Sequence, residues 1–555
     1  MVWRPEDPQG NESAKVRHMI VPYTRGQGLD LGCGPWKAWP HFIGVDNFDE
    51  YQGVIDPATG QHWRPDICAD CTDLSLFADR SLDFVYSSHL LEHLDDPRGA
   101  LLEWWRVIKV DGHLVLYLPH RELYPQIGEP GANPDHKSDF HPEDILGMMD
   151  NLDFGGWSCE LNQTRAEGLE YSFLLVFRKR RGSGRVRDDL TRARDKRKTC
   201  LVVRYGGFGD MLMASSIFPR LREEGYHVTL QTTPRGHEVV RNDPNIDAFW
   251  IQDKEQVPNH ELTDYWAALS HEFDRCINLS ESIEGALLAL PDRRNHALSH
   301  EARHMALNVN YLDFTHAIAG VPGPGRVVFY PDVAERKWAV QQRKALGENP
   351  VIVWGLRGSS VHKIWPWTRD VVAWLLTNTD ARIVFAGRRE DQILEHAICV
   401  GLAQGFLGID VAAADAMKLS TLLQQLQNYF GGSRIFCHSG SWTIREMLSF
   451  LPEASVIVGP ETGLLNAASY LEVPKVVMLS HSSRENLTRD WVNTRTIEPE
   501  KVACFPCHRM HYDHTYCPQD QASGAAVCAA MIRRETVYDA IRDALYSPQP
   551  ERIFA

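Results

Sequence analysis

The stretch CLVVRYGGFGDMLMASSIFPRLREE, residues Cys200 to Glu224, decides how the middle of this chain folds. Its apolar start, Leu201 to Val203, predicts a buried strand, the glycines that follow end it, and an amphipathic pattern predicts a helix from about Met211. Glycines at such a turn let a ligand approach the backbone, and the helix start offers unpaired N–H groups to anionic oxygens. We therefore expect an α/β unit that binds an anionic ligand at this turn.

Asp210 is the unusual residue of this stretch, because a carboxylate that faced a phosphate would repel it. Two interpretations fit. Asp210 caps the helix, the role that the residue type alone favours, or it is a base directed at a neutral hydroxyl acceptor.

The pattern R-x-G-x-x-G-D-x-L, from Arg204 to Leu212, closely resembles the N-terminal signature of the heptosyltransferase-like glycosyltransferases, family nine of the sequence classification. The resemblance continues through HVTLQTTPRGHEVVRNDPNIDAFW, which is similar to that family's second strand and the segment after it. It implies that Asp210 is the general base, and so reverses the preference for a cap.

The length of 555 residues predicts roughly three domains. The net charge of −15 argues against a nucleic-acid-binding surface along the whole chain. A basic, Gly-Ser-Gly-containing stretch from Arg178 to Lys198 indicates a solvated linker, with a polyanion or membrane-surface contact as the alternative. The sequence contains no apolar run long enough to span a bilayer, and by default we expect a cytoplasmic protein.

The segment GLDLGCGPWKAW predicts a short strand at Leu29 to Leu31 and a tight turn at Gly32 and Gly34. The apolar strand of FIGVDNFDE then ends in Asp46. A strand, a Gly-x-Gly turn and an acid at the tip of the next strand describe a nucleoside pocket, because the acid can accept both ribose hydroxyls.

Residues 16 to 178 resemble, in strand order and in the segments DLGCG and SSHLLEHL, the class I S-adenosylmethionine-dependent methyltransferases. The resemblance implies a seven-stranded doubly wound sheet with the cofactor across the carboxyl ends of its strands. Asp30, Gly32 and Gly34 would hold the methionine part and Asp46 the ribose. Asp70 and Cys71 would lie near the adenine, with a helix cap as the alternative for Asp70, and Ser87 and His89 would close the pocket.

Methyl transfer to oxygen usually needs a base with a pKa near neutrality. Three histidines are candidates: His120, directly after the predicted fifth strand, and His136 and His141 in the loop that follows. The absence of a Pro-Pro-Tyr type of motif favours a hydroxyl or carboxyl acceptor over a base nitrogen.

The segment VIVWGLRGSSVHKIWPW resembles the start of the C-terminal half of the same glycosyltransferases. The resemblance places Arg357, Ser359 and Lys363 at the donor sugar nucleotide. A departing diphosphate needs cations or N–H groups when no metal assists, and the sequence lacks the Asp-x-Asp motif of metal-dependent sugar transferases.

The segment ASVIVGPETGLLNAASYLEVPKVVML resembles the family's G-P-D-T-G-x-x-H stretch, whose backbone amides hold the diphosphate. The residues at those positions are Glu461, Thr462, Gly463 and Asn466. Glu461 replaces an aspartate and Asn466 a histidine, which puts the nucleotide preference, or the activity itself, in question.

Four cysteines near the end, at positions 504, 507, 517 and 528, include a C-x-x-C pair. They fit a structural zinc site, with reduced packing cysteines as the alternative. The closing helix, ETVYDAIRDAL, is expected to cross back to the middle domain.

Together the sequence predicts a Rossmann-like methyltransferase domain (1–178), a basic linker (179–197) and a GT-B pair of Rossmann-like domains, acceptor (198–335) and donor (336–555). We expect a bifunctional enzyme that transfers methyl groups from S-adenosylmethionine, and, without a catalytic metal, sugars from nucleotides to a hydroxyl-bearing glycan. Modification of nucleic acid or of a small metabolite, and a non-catalytic scaffold role for one half, remain alternatives.

Overall fold

A computed structural model describes most of the chain: residues 11–55, 60–151, 155–168, 170–181, 184–185, 197–253, 256–280, 287–291, 293–323 and 325–546. The chain divides into two compact units. The first contains residues 1–198 and 250–275, and the second contains residues 199–249 and 276–555. Most of the predicted linker lies outside the described residues.

The first unit is built on an eight-stranded sheet with the order β10-β8-β9-β7-β6-β1-β2-β5. Its strands, and the separate hairpin β3-β4, are β1 (Gly28–Leu31), β2 (Ile43–Asp46), β3 (Tyr51–Ile55), β4 (His62–Trp63), β5 (Ile67–Cys68), β6 (Leu82–Ser88), β7 (Ile108–Pro119), β8 (Gly156–Arg165), β9 (Ser172–Arg180) and β10 (Gly184–Arg185). β1 pairs in parallel with β2 and β6, whereas β9 is antiparallel to β7 and β8.

This order confirms the predicted doubly wound sheet and adds one short strand, because β10 pairs with β8. β1 is buried along its whole length, as expected for a central strand covered on both faces. β9 continues to Arg180, past the predicted domain end at residue 178. The helical segments of this unit are Ser13–Val16, Val21–Tyr23, Leu91–His93, Pro97–Val107, Pro142–Asn151, Asn259–Glu261 and Leu262–Ser270.

The second unit begins with a four-stranded sheet, order β13-β12-β11-β14. Its strands are β11 (Thr199–Val203), β12 (His227–Thr232), β13 (Ala248–Ile251) and β14 (Arg275–Asn278). β11 confirms the strand predicted at Leu201 to Val203. The helix after it begins at Phe208 rather than near Met211, because Asp210 accepts a hydrogen bond from Gly207 and so stabilises an earlier start.

A six-stranded parallel sheet follows, with the order β17-β16-β15-β18-β19-β20. Its strands are β15 (Val351–Trp354), β16 (Arg382–Phe385), β17 (Ile435–Cys437), β18 (Val456–Pro460), β19 (Lys475–Met478) and β20 (Thr494–Ile497). The order reverses between β15 and β18, and open α/β sheets bind ligands beyond the carboxyl ends of the strands at such a point.

The helical segments of the second unit are Phe208–Ser215, Phe218–Glu223, Pro234–Val240, Arg294–Ala297, His300–Leu307, Tyr311–Ala319, Val333–Ala345, Val361–Lys363, Thr368–Asn378, Arg389–Asp391, Gln392–Leu407, Val411–Asp415, Leu419–Phe430, Ile444–Phe450, Leu451–Glu453, Gly463–Ala468, Arg484–Thr488, Val527–Ala530 and Arg534–Tyr546. None of the helices in the described ranges has the length and apolar character needed to cross a bilayer.

One expectation about the helices is wrong. The closing helix Arg534–Tyr546 packs on the six-stranded sheet and on the helix Thr368–Asn378, and none of its main contacts with described residues is with the four-stranded sheet. Its apolar residues Val537 and Ile541 are fully buried in the core of the six-stranded sheet, and this burial fixes the position of the helix.

Candidate functional sites

The turn after β1 brings two predicted cofactor positions together. Gly32 and Gly34 have φ angles of 65° and 53°, a left-handed conformation that favours glycine. The N–H of Gly32 donates to the carbonyl of Val45, and the N–H of Gly34 donates to Asp46 Oδ2, each at 2.9 Å. The Gly-x-Gly turn is therefore fixed against the end of β2.

Asp30 lies in β1 with 1% of its surface exposed. Its Oδ2 accepts a hydrogen bond from Ala38 N at 2.7 Å, whereas Oδ1 is buried without a hydrogen-bond partner. Burial raises the pKa of this carboxyl to about 7. A ligand donor such as an ammonium group would satisfy Oδ1.

Asp46 ends β2, as predicted for a ribose-binding acid. Its Oδ2 accepts hydrogen bonds from Gly34 N and from the hydroxyl of Tyr51, at 2.9 and 3.1 Å, and its Oδ1 accepts one from Asn47 N at 2.8 Å. A carboxylate has about four acceptor positions. With Tyr51 in this position, Asp46 can accept one ribose hydroxyl and not both.

Asp70 and Cys71 follow β5 and differ in environment. Asp70 is exposed, and its Oδ1 accepts hydrogen bonds from the N–H and hydroxyl of Thr72 at 2.8 and 2.7 Å. These contacts stabilise a turn, and the alternative role of a helix cap is wrong, because no helix begins among the described residues between β5 and β6. Cys71 is buried, and burial raises the pKa of its thiol to about 12. Cys71 can thus contribute an uncharged side chain to the lining of the predicted adenine pocket.

Ser87 and His89 stand at the end of β6. Ser87 is fully buried, and its hydroxyl has no hydrogen-bond partner. His89 has a positive φ of 49°, and its Nε2 lies 3.0 Å from the hydroxyl of Ser172. Its ring contacts those of Tyr117 and Tyr171, with centroids 5.2 and 5.7 Å away. His89 therefore lies among tyrosines.

The three histidines considered as bases separate into two groups. The rings of His120 and His141 are 4.6 Å apart, whereas His136 lies against His93 at 4.7 Å. Nδ1 of His120 accepts a hydrogen bond from Glu122 N at 3.1 Å. Burial, reinforced by His141, lowers the pKa of His120, so that its imidazole is neutral at neutral pH.

Asp210 contacts both sides of the glycine turn in the second unit. Its Oδ2 accepts a hydrogen bond from Gly207 N at 3.1 Å, which is a capping contact. Its Oδ1 lies 3.6 Å from the guanidinium of Arg204 and accepts a hydrogen bond from the hydroxyl of Tyr311 at 3.4 Å. The side chain is 43% exposed. Capping therefore leaves the carboxylate accessible.

The starts of two short helices, Phe208–Ser215 and Gly463–Ala468, touch at their glycines. A Cβ atom on Gly209 would lie 2.5 Å from the Cα of Gly463 and 3.1 Å from Asn466 Nδ2. Both positions therefore require glycine for a close backbone contact. The contact places the Gly-Asp pair beside the segment predicted to hold the donor diphosphate.

The predicted cations Lys363 and Arg357 differ in their partners. Lys363 is 9% exposed, and its stem is packed so closely that a Cβ on Gly358 would lie 2.5 Å from its Cδ. Burial lowers the pKa of Lys363, and the negative charges of Glu461 and Asp210 oppose that shift. Arg357, in contrast, forms an ion pair with the buried carboxylate of Asp391 at 2.5 Å.

Ser359 is exposed, and its hydroxyl lies 3.9 Å from the sulfur of Met510. Next to the glycine contact, Thr462 Oγ1 and Asn466 Oδ1 are buried atoms without hydrogen-bond partners. Thr462, Gly463 and Asn466 therefore form one continuous edge beside Gly209, and two of them keep polar atoms available for a ligand.

Glu461 is 2% exposed and organises the loop after β19. Its Oε1 accepts hydrogen bonds from the N–H and hydroxyl of Ser480, and from the N–H and Nδ1 of His481, at 2.5 to 2.9 Å. Burial alone would raise the pKa of Glu461, but His481 and Lys363 hold it well below its usual range. Its Oε2 has no hydrogen-bond partner.

The four C-terminal cysteines are free thiols, three of them buried. Burial raises the pKa values of Cys507 and Cys517 to about 12 and about 11, and the neighbouring thiol of Cys504 contributes to both. The cysteines are not among the groups of described residues whose ligand atoms lie within 4.8 Å of one another. The structural zinc site stays a prediction.

Several residues in these sites were not predicted. Tyr51, Arg204 and Tyr311 contact predicted carboxylates from other elements, so only the fold brings them there. Glu92 stands within the quoted SSHLLEHL segment, yet sequence alone gave no reason to separate it from its apolar neighbours.

Parts of the chain are similar to known proteins. Residues 29–116 match the family model of a methyltransferase domain. No curated protein matches the chain. Among solved structures, the chain is similar to the E. coli ADP-heptose lipopolysaccharide heptosyltransferase II, at 13% identity over 62% of this chain and 98% of that one, with a TM-score of 0.41.

The glycosyl transferase family 9 structure from Veillonella parvula is similar at 14% identity, over 63% of this chain and 98% of that one, with a TM-score of 0.44. The YcgJ protein from Bacillus subtilis is similar at 15% identity, over 31% of this chain and 99% of that one, with a TM-score of 0.22. The predicted methyltransferase domain is confirmed by the family model, and this domain makes the chain a transferase.

Proposed function

We propose that the chain is a bifunctional enzyme of glycan assembly. The first unit transfers methyl groups from S-adenosylmethionine. The second transfers a sugar from a nucleotide, with inversion and without a metal, to a hydroxyl of a glycan acceptor, as in lipopolysaccharide biosynthesis on the cytoplasmic side of the membrane. Two activities on one chain favour a shared pathway, because a tether raises the effective concentration of the second site.

The observation that supports methyl transfer is the link between Gly34 and Asp46 at the carboxyl ends of β1 and β2. The donor set fits the cofactor: the unpaired Oδ1 of Asp30 can accept from its ammonium group, and the free acceptor position of Asp46 can accept from its ribose. Bound S-adenosylmethionine supplies an electrophilic methyl group. The chain's part is to orient the acceptor and to remove its proton, for which neutral His120 is the candidate.

Calorimetric titration with S-adenosylmethionine tests the first activity. We expect saturable binding that Asp46→Ala weakens by about 10- to 100-fold, the loss of about one or two charge-assisted hydrogen bonds. Asp111→Asn is the matched control, because Asp111 pairs only with surface arginines of the same unit among the contacts described. Undetectable binding to the intact chain would refute the proposal.

The observation that supports glycosyl transfer is that Asp210, Lys363 and Glu461, from three distant segments, interact electrostatically at one place. Asp210 deprotonates the acceptor hydroxyl as that oxygen attacks the anomeric carbon. The carbon–oxygen bond to the diphosphate breaks, and the ammonium of Lys363 stabilises the charge on the departing diphosphate. The touching helix starts at Gly209 and Gly463 support this arrangement, because they bring Asp210 next to the segment proposed to hold the diphosphate.

Asp210→Asn separates the two roles of this residue. The amide oxygen of asparagine can still accept a hydrogen bond from Gly207 N, so the cap persists while the base is lost. We expect the transfer rate, measured by mass spectrometry with a panel of nucleotide sugars, to fall by about 10²- to 10⁴-fold. Asp410→Asn is the control, because Asp410 also caps a helix but stands on the surface.

An unchanged rate in Asp210→Asn would show that the carboxylate is a cap and not the base. Sugar nucleotides that bind without turnover would instead support a scaffold role. Two observations motivate this alternative: Asn466 stands where the resembling family has a histidine, and Glu461 forms its hydrogen bonds with Ser480 and His481 of its own chain. Retention on a DNA column at moderate salt would favour a nucleic-acid acceptor over a glycan.

A further inference from the structure

The buried carboxyl group of Glu92 has no partner in the site described so far. Glu92 lies in the turn Leu91–His93, directly after β6, and is 0% exposed. Neither Oε1 nor Oε2 has a hydrogen-bond partner. A buried carboxylate without partners costs several kcal/mol, so this position needs either a proton or a cation.

Two histidines face this carboxyl group. The ligand atoms of Glu92, His93 and His136 all lie within 4.8 Å of one another, and Oε1 of Glu92 is 4.0 Å from Nε2 of His93. Three ligands of one zinc-sized ion, with bonds of about 2.1 Å in a tetrahedral arrangement, are about 3.4 Å apart. The three side chains therefore need to close by up to about 1.4 Å to bind one ion.

His93 also has the orienting contact of a metal ligand. His93 Nδ1 lies 3.3 Å from the backbone carbonyl of Asp135, so Nδ1 carries the proton and Nε2 keeps its lone pair toward Glu92. Such a carbonyl partner is the usual orienting contact of a metal-binding histidine.

The loop that carries His136 is fastened to the Glu92 turn by its backbone. The N–H groups of Lys137 and Ser138 both donate to the carbonyl oxygen of Glu92, at 2.7 and 3.1 Å. The turn itself begins at His89, whose positive φ of 49° is costly for a residue other than glycine, and strain of this kind is concentrated at functional sites. Nδ1 of His89 lies 3.6 Å from Glu92 Oε1 and is a third nitrogen near the carboxyl group.

We propose that Glu92, His93 and His136 bind a divalent transition-metal ion. Two imidazoles and one carboxylate suit zinc, iron, cobalt or manganese, whereas magnesium and calcium prefer oxygen ligands. Three protein ligands leave a coordination position open. The site follows the carboxyl end of β6 and lies near the ring of Tyr124, which is 5.4 Å from that of His136.

The open position is suited to an oxygen of the methyl acceptor, an assignment that rests on the proposed methyltransferase function. A hydroxyl bound to the ion loses its proton more easily, and the ion holds the resulting oxygen in place for the methyl group. The site therefore selects acceptors with a hydroxyl or carboxylate that can coordinate a metal.

The test is calorimetric titration of the full chain, freed of metal with a chelator, with Mn²⁺ and with Co²⁺. We expect Mn²⁺ to bind at this site, because thiolates of the C-terminal cysteines compete poorly for manganese. Glu92→Gln and His136→Ala should each weaken binding at least about 10-fold. Co²⁺ at this site should give a visible spectrum without thiolate charge transfer.

Two controls separate this site from other histidines. His113→Ala removes a histidine that faces Glu160 elsewhere in the same unit, and His141→Ala removes one from the second histidine pair. Neither should change Mn²⁺ affinity. Absence of Mn²⁺ binding in the wild type, or wild-type affinity in both Glu92→Gln and His136→Ala, would overturn the proposal.

The two proposals fail in different ways. Because His136 lies on a loop, His136→Ala should keep the fold even if Glu92→Gln does not, and circular dichroism reports on both. Metal binding without S-adenosylmethionine binding would leave the metal site standing and remove its role in methyl transfer. Binding of S-adenosylmethionine without metal binding would refute the metal site and leave the proposed methyltransferase function standing.

Discussion

Replacement of Gly209 with alanine tests whether the contact between the two helix starts holds the proposed glycosyl-transfer site together. The new Cβ would lie 2.5 Å from the Cα of Gly463 and 3.1 Å from Asn466 Nδ2. Carbon atoms in ordinary contact are about 3.5 to 4.0 Å apart. The two helix starts must therefore separate by about 1 Å, because a backbone atom cannot rotate away as a side chain can.

Two effects of opposite sign determine the stability of this variant. Gly209 lies inside the helix Phe208–Ser215 without a positive φ, so alanine gains about 0.5 to 1 kcal/mol from helix propensity. Overpacking costs about 1 to 3 kcal/mol, and a backbone clash belongs to the upper part of that range. We expect a net destabilisation of about 1 to 2.5 kcal/mol.

The same displacement should affect catalysis more than stability. A shift of about 1 Å between Asp210 and the helix start at Gly463, which is proposed to hold the diphosphate, should lower the transfer rate about 100-fold. Urea denaturation, followed by tryptophan fluorescence, and initial rates with the active donor measure the two effects on the same sample.

Gly405→Ala is the matched control within the same unit. Gly405 lies in the helix Gln392–Leu407, and a Cβ there would meet nothing within 4 Å. This variant should be more stable than the wild type by about 0.5 to 1 kcal/mol, with an unchanged rate. If Gly209→Ala behaved like Gly405→Ala, the close contact described here would not exist in solution.

Three further predictions concern single groups. The pKa of Asp30 is raised to about 7, so the folded chain holds this proton more tightly than the unfolded chain, and the free energy of unfolding falls as the pH rises from about 4 to about 7. Asp30→Asn should therefore reduce the difference between the denaturation midpoints measured at about pH 5 and about pH 8. An unchanged difference would contradict this. Lys363→Met should lower the transfer rate more than Arg357→Gln, because Arg357 is neutralised by an ion pair, and equal losses in steady-state rates would count against that assignment. Buried Cys517, whose pKa is raised to about 11, should react with iodoacetamide much more slowly than exposed Cys68, as mass spectrometry of timed samples will reveal; similar rates would show that Cys517 is accessible.

The sequence predicts the fold well where a residue type strongly favours one backbone conformation or one environment. Gly32 and Gly34 were placed in a turn, and both have the positive φ that only such a turn requires. The strand at Leu201 to Val203 was predicted because its residues are β-branched or bulky and bounded by glycines, and it lies fully buried in β11.

Features that depend on contacts between distant residues could not be predicted. The ion pair of Arg357 with Asp391 joins a loop to the helical segment Arg389–Asp391, and the motif around Arg357 contains no sign of it. The apolar face of the closing helix does not by itself indicate which sheet the helix packs on. Only the structure shows that Val537 is buried in the core of the six-stranded sheet. Glu92 stands in the motif SSHLLEHL, but only the three-dimensional structure shows that its carboxyl group is buried without a hydrogen-bond partner.

The first unit includes a segment, residues 250–275, that is distant in sequence from the rest of the unit. Arg17 forms an ion pair with Glu261, and Arg25 forms one with Asp253, at 3.1 Å. Both acidic partners belong to the segment 250–275, which is counted with the first unit although its flanking residues belong to the second. A gene fragment that stops at codon 198 would therefore encode a methyltransferase domain without these partners, and the halves cannot be exchanged between homologous fusions by a single cut.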